Sequence, residues 1–358
     1  MRIIVSAGGT GGHIYPALAI INKIKDMEPS SRVLYVGTTD RMESRLIPSL
    51  GIPYESLEIK GLNRHSLLKN FEVLKLYNKA YKKSLKIIKD FKPDVVLGVG
   101  GYVTAPLLKA AVKLHIKTAI HEQNSIAGIT NKMLGRKVDK IFISMKDSIN
   151  DFPKEKVVFT GNPRSQEIIN EKPVTKKELG FDNKPLILIV MGSLGSATIN
   201  SEELEITRQI KNKDYNILLV TGERYFGDYK DIDLSSNIKV VPFEKRLSGI
   251  MKSTDLIVTR AGASTIAEIT AIGLPSILVP SPYVTNNHQY ENALELEKNG
   301  AGIILPEKDF KSSTLLPLID NLLSDKERLE SMHKNALKLG ITDSSDRIYK
   351  ELKKLIGD

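Results

Sequence analysis

A short apolar strand, a glycine-rich turn and a helix follow one another in the same order in both halves of this sequence. In the first half, Ile3–Ser6 has the pattern of a buried strand, and Gly8–Gly12 then leads into a segment with apolar residues at helical spacing. In the second half, Leu186–Val190 is followed by the glycine-containing segment Gly192–Ser196 and another helical pattern. Such alternation predicts parallel sheets connected by crossover helices.

The same alternation continues along the chain, and 358 residues suit two domains. Gly161–Glu178 contains glycine, prolines and mixed charges but little apolar periodicity, so it predicts a domain boundary. We therefore expect an α/β fold of two Rossmann-like, doubly wound domains with the ligand site in the cleft between them. The other predicted strands are Arg32–Gly37, Val95–Val99, Thr118–His121, Lys140–Ser144, Asn216–Val220, Lys239–Val241, Leu256–Thr259 and Ser276–Val279.

Composition removes several classes of function. The absence of cysteine excludes disulfides, thiolate zinc sites and cysteine nucleophiles, and it fits a cytoplasmic protein. The longest apolar runs, such as Leu186–Met191, fall far short of the ~20 residues that span a bilayer, and the N-terminus lacks the order of a signal peptide. The Asp-x-Asp pattern Asp231–Asp233 lies in a charged, loop-like segment, so we predict no metal site there.

The positive charge of the chain is confined to its first half. Residues 1–165 contain 27 lysines and arginines against 14 acidic residues, whereas the rest contains 25 against 28, so the first half carries the whole net charge of +10. The densest segment, Lys60–Lys92, interleaves ten basic residues with apolar ones at helical spacing. It is open to two interpretations: a basic amphipathic helix on an anionic membrane, or a core-facing helix with a solvated lysine face.

Four glycine-rich turns follow predicted strands. They are Gly8–Gly12 and Gly192–Ser196, described above, together with Gly98–Gly101 and Gly262–Ala263. Backbone N–H groups at such a turn, together with the N-terminus of the next helix, bind phosphate groups. The alternative is a set of tight turns without a ligand. The chain lacks the lysine of a P-loop, and Ile14 stands where the dinucleotide fingerprint needs its third glycine, so a nicotinamide-dependent oxidoreductase is disfavoured.

Three polar positions near these turns are candidates for chemistry. His13 starts a helix, where a neutral imidazole could act as a general base or could simply face solvent. His121–Asn124 is a polar cluster directly after a predicted strand, which is where α/β proteins collect functional residues. Thr265 and Glu268 have the spacing of a helix capping box, with Thr265 as the N-cap, so a structural role competes with a functional one.

As an ordered set, these motifs resemble a known family over nearly the whole chain. The chain is similar to the bacterial MurG family, two-domain GT-B glycosyltransferases that add N-acetylglucosamine to lipid I during peptidoglycan synthesis. The resemblance implies an N-terminal acceptor domain over 1–163, completed by a helix in 343–358, and a C-terminal donor domain over 164–342. The matching segments are Gly8–Ala17, Gly98–Val103, His121–Asn124, Ala127–Lys132, Gly161–Pro163, Arg260–Glu268 and His288–Gln289.

The resemblance also implies roles for individual residues. Glu268 would position the donor by accepting its ribose hydroxyls, and His13 becomes the candidate base or an acceptor-site residue. The donor, UDP-N-acetylglucosamine, would contact the side chain or backbone of Thr10, Gly11, Gly12, Asn124, Arg164, Ser193, Phe243, Ala263, Ser264, Thr265, Glu268 and Gln289. The acceptor diphosphate would lie against Gly12, His13, Gly100, Gly101 and Tyr102.

Two positions depart from the family pattern. Leu194 stands where the family usually has glutamine, so that contact is absent, and Arg164 follows Pro163 directly, without the intervening residue. The second departure changes how far the Arg164 side chain can be expected to reach.

The implied reaction is an inverting transfer to the C4 hydroxyl of N-acetylmuramic acid in lipid I, which gives lipid II and UDP without a metal or other cofactor. The implied partners are the two substrates, an anionic membrane surface and other cell-wall synthesis and division proteins, with the chain peripheral on the cytoplasmic face of the cell membrane. A diacylglycerol glycosyltransferase or a UDP-sugar 2-epimerase is the nearest alternative. A nucleic-acid-binding protein is a further one, but with 6% aromatic residues and no recognised module we predict no nucleic acid partner.

Overall fold

The computed structural model of the chain describes residues 1–61, 69–191 and 197–357. These residues form two compact units, one made of residues 1–166 together with 343–358 and the other of residues 167–342. The division between Gln166 and Glu167 falls in the segment of weak apolar periodicity that follows Gly161. The first unit is therefore built from two separate stretches of the chain.

The first unit contains a seven-stranded sheet in the order β3-β2-β1-β4-β5-β6-β7, and every neighbouring pair is parallel. Its strands are β1 (Arg2–Ala7), β2 (Arg32–Thr38), β3 (Tyr54–Leu57), β4 (Val95–Gly100), β5 (Lys117–Glu122), β6 (Lys140–Ile143) and β7 (Val157–Phe159). The helices before the division are α1 (Gly11–Met27), α2 (Glu43–Ser49), α3 (Lys69–Phe91), α4 (Thr104–Lys113) and α5 (Ile129–Gly135). The division falls within α6 (Arg164–Asn170).

The second unit repeats this plan with six parallel strands in the order β10-β9-β8-β11-β12-β13. The strands are β8 (Leu186–Val190), β9 (Asn216–Val220), β10 (Ile238–Val241), β11 (Leu256–Thr259), β12 (Ser276–Leu278) and β13 (Gly302–Ile304). The helices are α7 (Ala197–Gln209), α8 (Leu247–Met251), α9 (Ala263–Ile272), α10 (His288–Lys298), α11 (Ser312–Ser324) and α12 (Lys326–Leu339). The prediction of two doubly wound α/β domains is confirmed.

Both faces of the first sheet are covered, which explains why its central strand is almost wholly apolar. Ile3 and Val5 of β1 point into a core with α1, whereas Ile4 points to the opposite face and packs with residues of α3 and α4. Successive strand residues alternate between faces, so one short strand supplies both cores.

A further helix, α13 (Ser344–Ile356), packs on the first unit although it comes last in the sequence. Its Ile348 and Leu352 are fully buried in the same core as α1, and burial of each side chain contributes about 1.5–3 kcal/mol. Glu28 also holds this helix, because one carboxylate oxygen accepts from Tyr349 Oη and pairs with Lys353 Nζ, each at 2.8 Å. The hydrogen bond from Lys353 and the one from the N-terminal amine lower the pKa of Glu28 to about 2.

The basic helix α3 carries apolar side chains both in the core and on the surface. Val73, Ala80, Ile87 and Ile88 are buried, as expected of a core-facing helix. Phe71, in contrast, is 83% exposed and Leu74 56% exposed, so the core explains only part of the apolar pattern of this helix.

Within the described part of the chain, every helix is too short or too polar to cross a lipid bilayer.

Candidate functional site

The described glycine-rich turns lie at the topological switch points of the two sheets. In the first unit the chain leaves β1 and β4, which are adjacent, toward opposite sides, and their turns are Gly8–Gly12 and the segment ending at Gly101. In the second unit β8 and β11 are adjacent in the same way. Because all strands are parallel, the turns of one sheet share its carboxyl edge, which is where open α/β sheets bind their ligands.

The first two turns approach each other so closely that side chains would not fit. Gly8 donates its backbone N–H to the carbonyl of Gly100 at 3.2 Å. A Cβ atom at Gly101 would lie 2.5 Å from the Gly8 carbonyl oxygen, and Gly101 has a φ of +88°. A Cβ atom at Gly100, where φ is +125°, would lie 2.4 Å from Cδ2 of His13. The glycines at 100 and 101 are thus required by both backbone conformation and space.

His13 lies in the first turn of α1, half-buried against Gly100. Its Nδ1 is 3.1 Å from the Gly8 carbonyl oxygen, and since a carbonyl only accepts, Nδ1 carries a proton. In the neutral ring the lone pair then lies on Nε2. The ring is thus packed and hydrogen-bonded on one side, while its role as a base stays a prediction. Thr10 occupies the N-cap position, but its side chain makes no capping bond, and Gly11 and Gly12 open the helix.

The polar cluster after β5 organises the neighbouring loops. His121 is fully buried, and burial lowers its pKa to about 4, so the ring is neutral at physiological pH. Gln123 Nε2 donates to its Nδ1 at 2.8 Å, which leaves Nε2–H to donate to the Gly161 carbonyl at 3.1 Å. Through this bond the ring fixes the backbone at Gly161, just before Arg164.

Glu122 holds the loop that carries Asn124. Its Oε1 accepts from the backbone N–H of Asn124 at 3.0 Å and its Oε2 from that of Gly128, also at 3.0 Å. Asn131 Nδ2 donates to the same Oε2 at 2.8 Å. The half-buried side chain of Asn124 also reaches Oε1, at 3.2 Å, and so lies at the carboxyl end of β5.

Tyr102 and Arg164 also belong to the first unit. The half-buried Tyr102 ring packs beside Gly61, and a hydrogen bond from the Arg41 guanidinium to the tyrosine raises the pKa of Arg41. Arg164 begins α6 with its backbone N–H bonded to Asn162 Oδ1 at 3.1 Å. The Arg164 guanidinium lies 5.7 Å from the centre of the Tyr15 ring, a cation–π contact that brings it next to α1.

In the second unit, α9 follows β11 and begins at Ala263. Thr265 is therefore inside the helix, and the capping-box interpretation with Thr265 as N-cap is wrong, because Gly262 occupies that position without a side-chain capping bond. Ser264 Oγ is buried and has no hydrogen-bond partner among the described residues. Glu268 follows on the next turn and is only 8% exposed.

Gln289 lies at the start of a helix and Phe243 on a loop, and both follow strands of the second sheet. Gln289 is the second residue of α10, and its Oε1 accepts from the backbone N–H of Ser281 at 2.8 Å, just beyond β12. Phe243 follows β10 and is 56% exposed. The predictions for Ser193 and Leu194 fall on the segment 192–196, which lies outside the described residues.

Arg260, to which its sequence motif assigns no role, braces the turn before α9. Its guanidinium pairs with Glu307 Oε2 at 2.7 Å and donates to the Val279 carbonyl at 3.1 Å, and the side chains of Arg260 and Glu307 are nearly buried.

Within residues 1–61, 69–191 and 197–357, histidines and carboxylates are nowhere grouped in threes as a metal ion would require.

Sequence reasoning missed Glu43 in the first unit. This carboxylate is fully buried beneath the first glycine turn, and its Oε2 accepts from the backbone N–H of Gly9 at 3.3 Å. A Cβ at Gly8 would lie 2.6 Å from its Oε1 and one at Gly37 would lie 2.7 Å from its Cγ. Gly8, directly after β1, and Gly37, within β2, are the signal in the sequence that could have pointed to a side chain between them.

Two parallel sheets in Rossmann order, with the described glycine turns at their switch points, form the GT-B fold of glycosyltransferases. The MurG crystal structure from Acinetobacter baumannii superposes with a TM-score of 0.79 and 29% identity, covering 99% of each chain. A putative UDP-N-acetylglucosamine 2-epimerase from Listeria monocytogenes shares the fold, with a TM-score of 0.72 at 13% identity, covering 99% of this chain and 96% of the other.

Sequence comparison identifies the family. The model of the glycosyltransferase family 28 N-terminal domain matches residues 3–143, and the model of its C-terminal domain matches residues 186–348. The chain belongs to glycosyltransferase family 28 and, within it, to the MurG family. Two relatives are called UDP-N-acetylglucosamine–N-acetylmuramyl-(pentapeptide) pyrophosphoryl-undecaprenol N-acetylglucosamine transferases. The one from Oenococcus oeni is 46% identical over 100% of this chain and 98% of its own, and the one from Lactobacillus helveticus 43% identical over 99% and 100%.

Proposed function

We propose that this chain transfers N-acetylglucosamine from UDP-N-acetylglucosamine to the C4 hydroxyl of N-acetylmuramic acid in lipid I, forming lipid II and UDP. The observation that carries this proposal is the full-length identity of 43–46% to relatives named for this transfer. Glycine turns at both switch points add physical support, because the donor and the acceptor each contain a diphosphate.

The second unit would bind the donor. The N-terminus of α9, with Ala263, Ser264 and Thr265, offers backbone N–H groups and a positive dipole end to the diphosphate. The buried, partnerless hydroxyl of Ser264 is the kind of donor that a phosphate oxygen would satisfy. Glu268 would accept the ribose hydroxyls, and the backbone near Phe243 would contact uracil. Gln289 and Ser193 complete the proposed donor contacts.

The first unit would bind the acceptor. The backbone of Gly12, Gly100 and Gly101 would hold its diphosphate, with Tyr102 beside it and His13 between the two turns. We also assign Thr10, Gly11, Asn124 and Arg164 to the donor sugar and phosphate region, as the family resemblance implies. Arg164 lies against Tyr15, so its place next to α1 supports that assignment.

The chemical step would be a single displacement with inversion. The acceptor oxygen forms a bond to the anomeric carbon while the bond from that carbon to the UDP oxygen breaks. The hydroxyl proton passes to Nε2 of His13, which the Nδ1 contact to Gly8 leaves as the basic nitrogen. Negative charge grows on the departing diphosphate, where the amides of α9 would stabilise it.

The proposal includes peripheral binding to the cytoplasmic face of the cell membrane, where lipid I and other cell-wall synthesis and division proteins would be met. Support comes from α3, where Phe71 and Leu74 are exposed next to Lys75. Apolar side chains inside a basic surface are the combination that anionic bilayers bind.

Replacing Phe71 and Leu74 by serine is expected to weaken binding to phosphatidylglycerol vesicles at least about tenfold, because two inserted apolar side chains are lost. Sedimentation with vesicles measures this effect. Leu50→Ser is a matched control, since Leu50 is also exposed (53%) in the same unit but lies outside the basic helix. Equal loss in the control, or equally strong binding to neutral phosphatidylcholine vesicles, would contradict the assignment of α3.

The proposed function is tested by incubating the chain with radiolabelled UDP-N-acetylglucosamine and lipid I. Transfer of label into lipid II is the expected result. Label on diacylglycerol instead would identify the lipid glycosyltransferase alternative, and conversion of the donor to its 2-epimer without an acceptor would identify the epimerase. Either product without lipid II overturns the proposal.

A further inference from the structure

We infer that Glu43 is a positioning residue for His13, acting through the peptide bond between Gly8 and Gly9. The two hydrogen bonds that carry this inference belong to one peptide unit. The N–H of Gly9 donates to Glu43 Oε2, and the carbonyl of Gly8 accepts from His13 Nδ1. The inference rests on the proposed role of His13 as the base.

A peptide between two glycines needs such an anchor. Neither residue has a side chain to restrict rotation, and Gly9 has a φ of +92° with nothing within 4 Å of its would-be Cβ. If this peptide turned over, the Gly8 carbonyl would point away from the imidazole. Nδ1 would then lose its acceptor, and the proton could move to Nε2, the nitrogen that the reaction needs as a base.

Glu43 is itself held in place on every side. Its Oε1 accepts from the backbone N–H of Thr38 at 3.1 Å and from Thr38 Oγ1 at 2.8 Å. Bare glycines at 8 and 37 leave room for the side chain, which is fully buried. Three donors therefore meet the two oxygens of one carboxylate, and a charged acceptor makes each of these bonds stronger than a neutral one would.

Glutamine at this position cannot reproduce the arrangement. It has nearly the same shape but one acceptor oxygen. Because Thr38 directs two donors at this carboxylate and Gly9 only one, that oxygen stays with Thr38 and the amide N–H₂ faces the Gly9 N–H. Glu43→Gln therefore removes the anchor while changing the volume of the buried side chain very little.

Asp139 supplies a matched control in the same unit. Its Oδ2 accepts from the backbone N–H and from Oγ1 of Thr118, both at 2.7 Å, which is the contact that Glu43 makes with Thr38. Thr118 lies at the amino end of β5, at the opposite edge of the sheet from His13. Asp139 is exposed whereas Glu43 is buried, so Asp139→Asn controls for a change at a carboxylate–threonine contact of this unit and leaves the Gly8–Gly9 peptide untouched.

Two readouts test the inference. In the lipid I assay, Glu43→Gln is expected to lower kcat by about 10- to 100-fold with the KM for UDP-N-acetylglucosamine unchanged, whereas Asp139→Asn retains wild-type kcat. Nitrogen-15 NMR of histidine-labelled protein at alkaline pH, with the His13 signal assigned from His13→Asn, is expected to show the Nδ1–H tautomer in the wild type and a shift toward Nε2–H in Glu43→Gln.

The outcomes separate the two proposals. An unchanged His13 tautomer in Glu43→Gln, or a kcat no lower than that of the control, overturns the role of Glu43. A tautomer shift in a chain that makes no lipid II supports the link between Glu43 and His13 and overturns the proposed function instead. If Glu43→Gln does not fold, Glu43→Asp carries both readouts, because its shorter side chain keeps the charge but withdraws from Gly9.

Discussion

Replacing His13 by alanine is expected to lower kcat for lipid II formation by about 10²- to 10⁴-fold, the usual contribution of a positioned general base. The ring is fixed by Gly8 on one side and Gly100 on the other, with Nε2 carrying the lone pair. Affinity for UDP-N-acetylglucosamine should change little, since the proposed donor contacts lie mainly in the second unit. Steady-state kinetics with each substrate varied in turn measures both effects.

Two further variants separate base catalysis from packing. His13→Asn can still donate a hydrogen bond toward the Gly8 carbonyl but cannot accept a proton at neutral pH, so it should be as slow as alanine. His115→Asn replaces an exposed histidine far along the chain and should retain full turnover. Wild-type turnover in His13→Ala would remove this residue as the base.

Glu268→Ala is expected to weaken binding of UDP-N-acetylglucosamine by about 10- to 10³-fold. A hydrogen bond to a charged group contributes about 1.5–3 kcal/mol, and the carboxylate is proposed to accept from the ribose hydroxyls. Because Glu268 is only 8% exposed, water cannot easily take over these hydrogen bonds to the ribose when the carboxylate is removed. Isothermal titration calorimetry with the donor measures the change directly.

Glu291→Gln is the matched control for the donor site. Glu291 lies on α10 in the same unit and is only partly exposed, but no role in donor binding is proposed for it. Its affinity for the donor should equal that of the wild type. If Glu268→Ala binds the donor as tightly as this control, the carboxylate does not contact the ribose, and a purely structural role of Glu268 in α9 would stand.

The central strands could be predicted from sequence because they are apolar and flanked by glycine. Leu186–Val190, Asn216–Val220 and Leu256–Thr259 have the predicted bounds. The three strands that the patterns did not indicate, Tyr54–Leu57, Val157–Phe159 and Gly302–Ile304, all lie at sheet edges. Edge strands pair on one side only and here have three or four residues, too few for a periodic pattern.

The candidate site was predictable where motifs mark it, and unpredictable where tertiary contacts create it. The glycine turns and His13 can be recognised from local spacing. Glu43 cannot, because it stands among ordinary polar residues in Asp40–Ser44 and acquires its neighbours only when β1 and β2 pair. Thr265 and Glu268 show the opposite error, since their spacing fits a capping box although the helix begins two residues earlier, at Ala263.

Because α13 is the last helix in the sequence, the first unit can complete its core only after the second unit has been synthesised. Residues 1–166 leave the ribosome first, yet their core lacks Ile348 and Leu352 until the last helix has been synthesised. The second unit is one continuous stretch of the chain, residues 167–342, and can fold during translation. Until that helix is synthesised, the first unit lacks the two apolar side chains that α13 contributes to the core with α1.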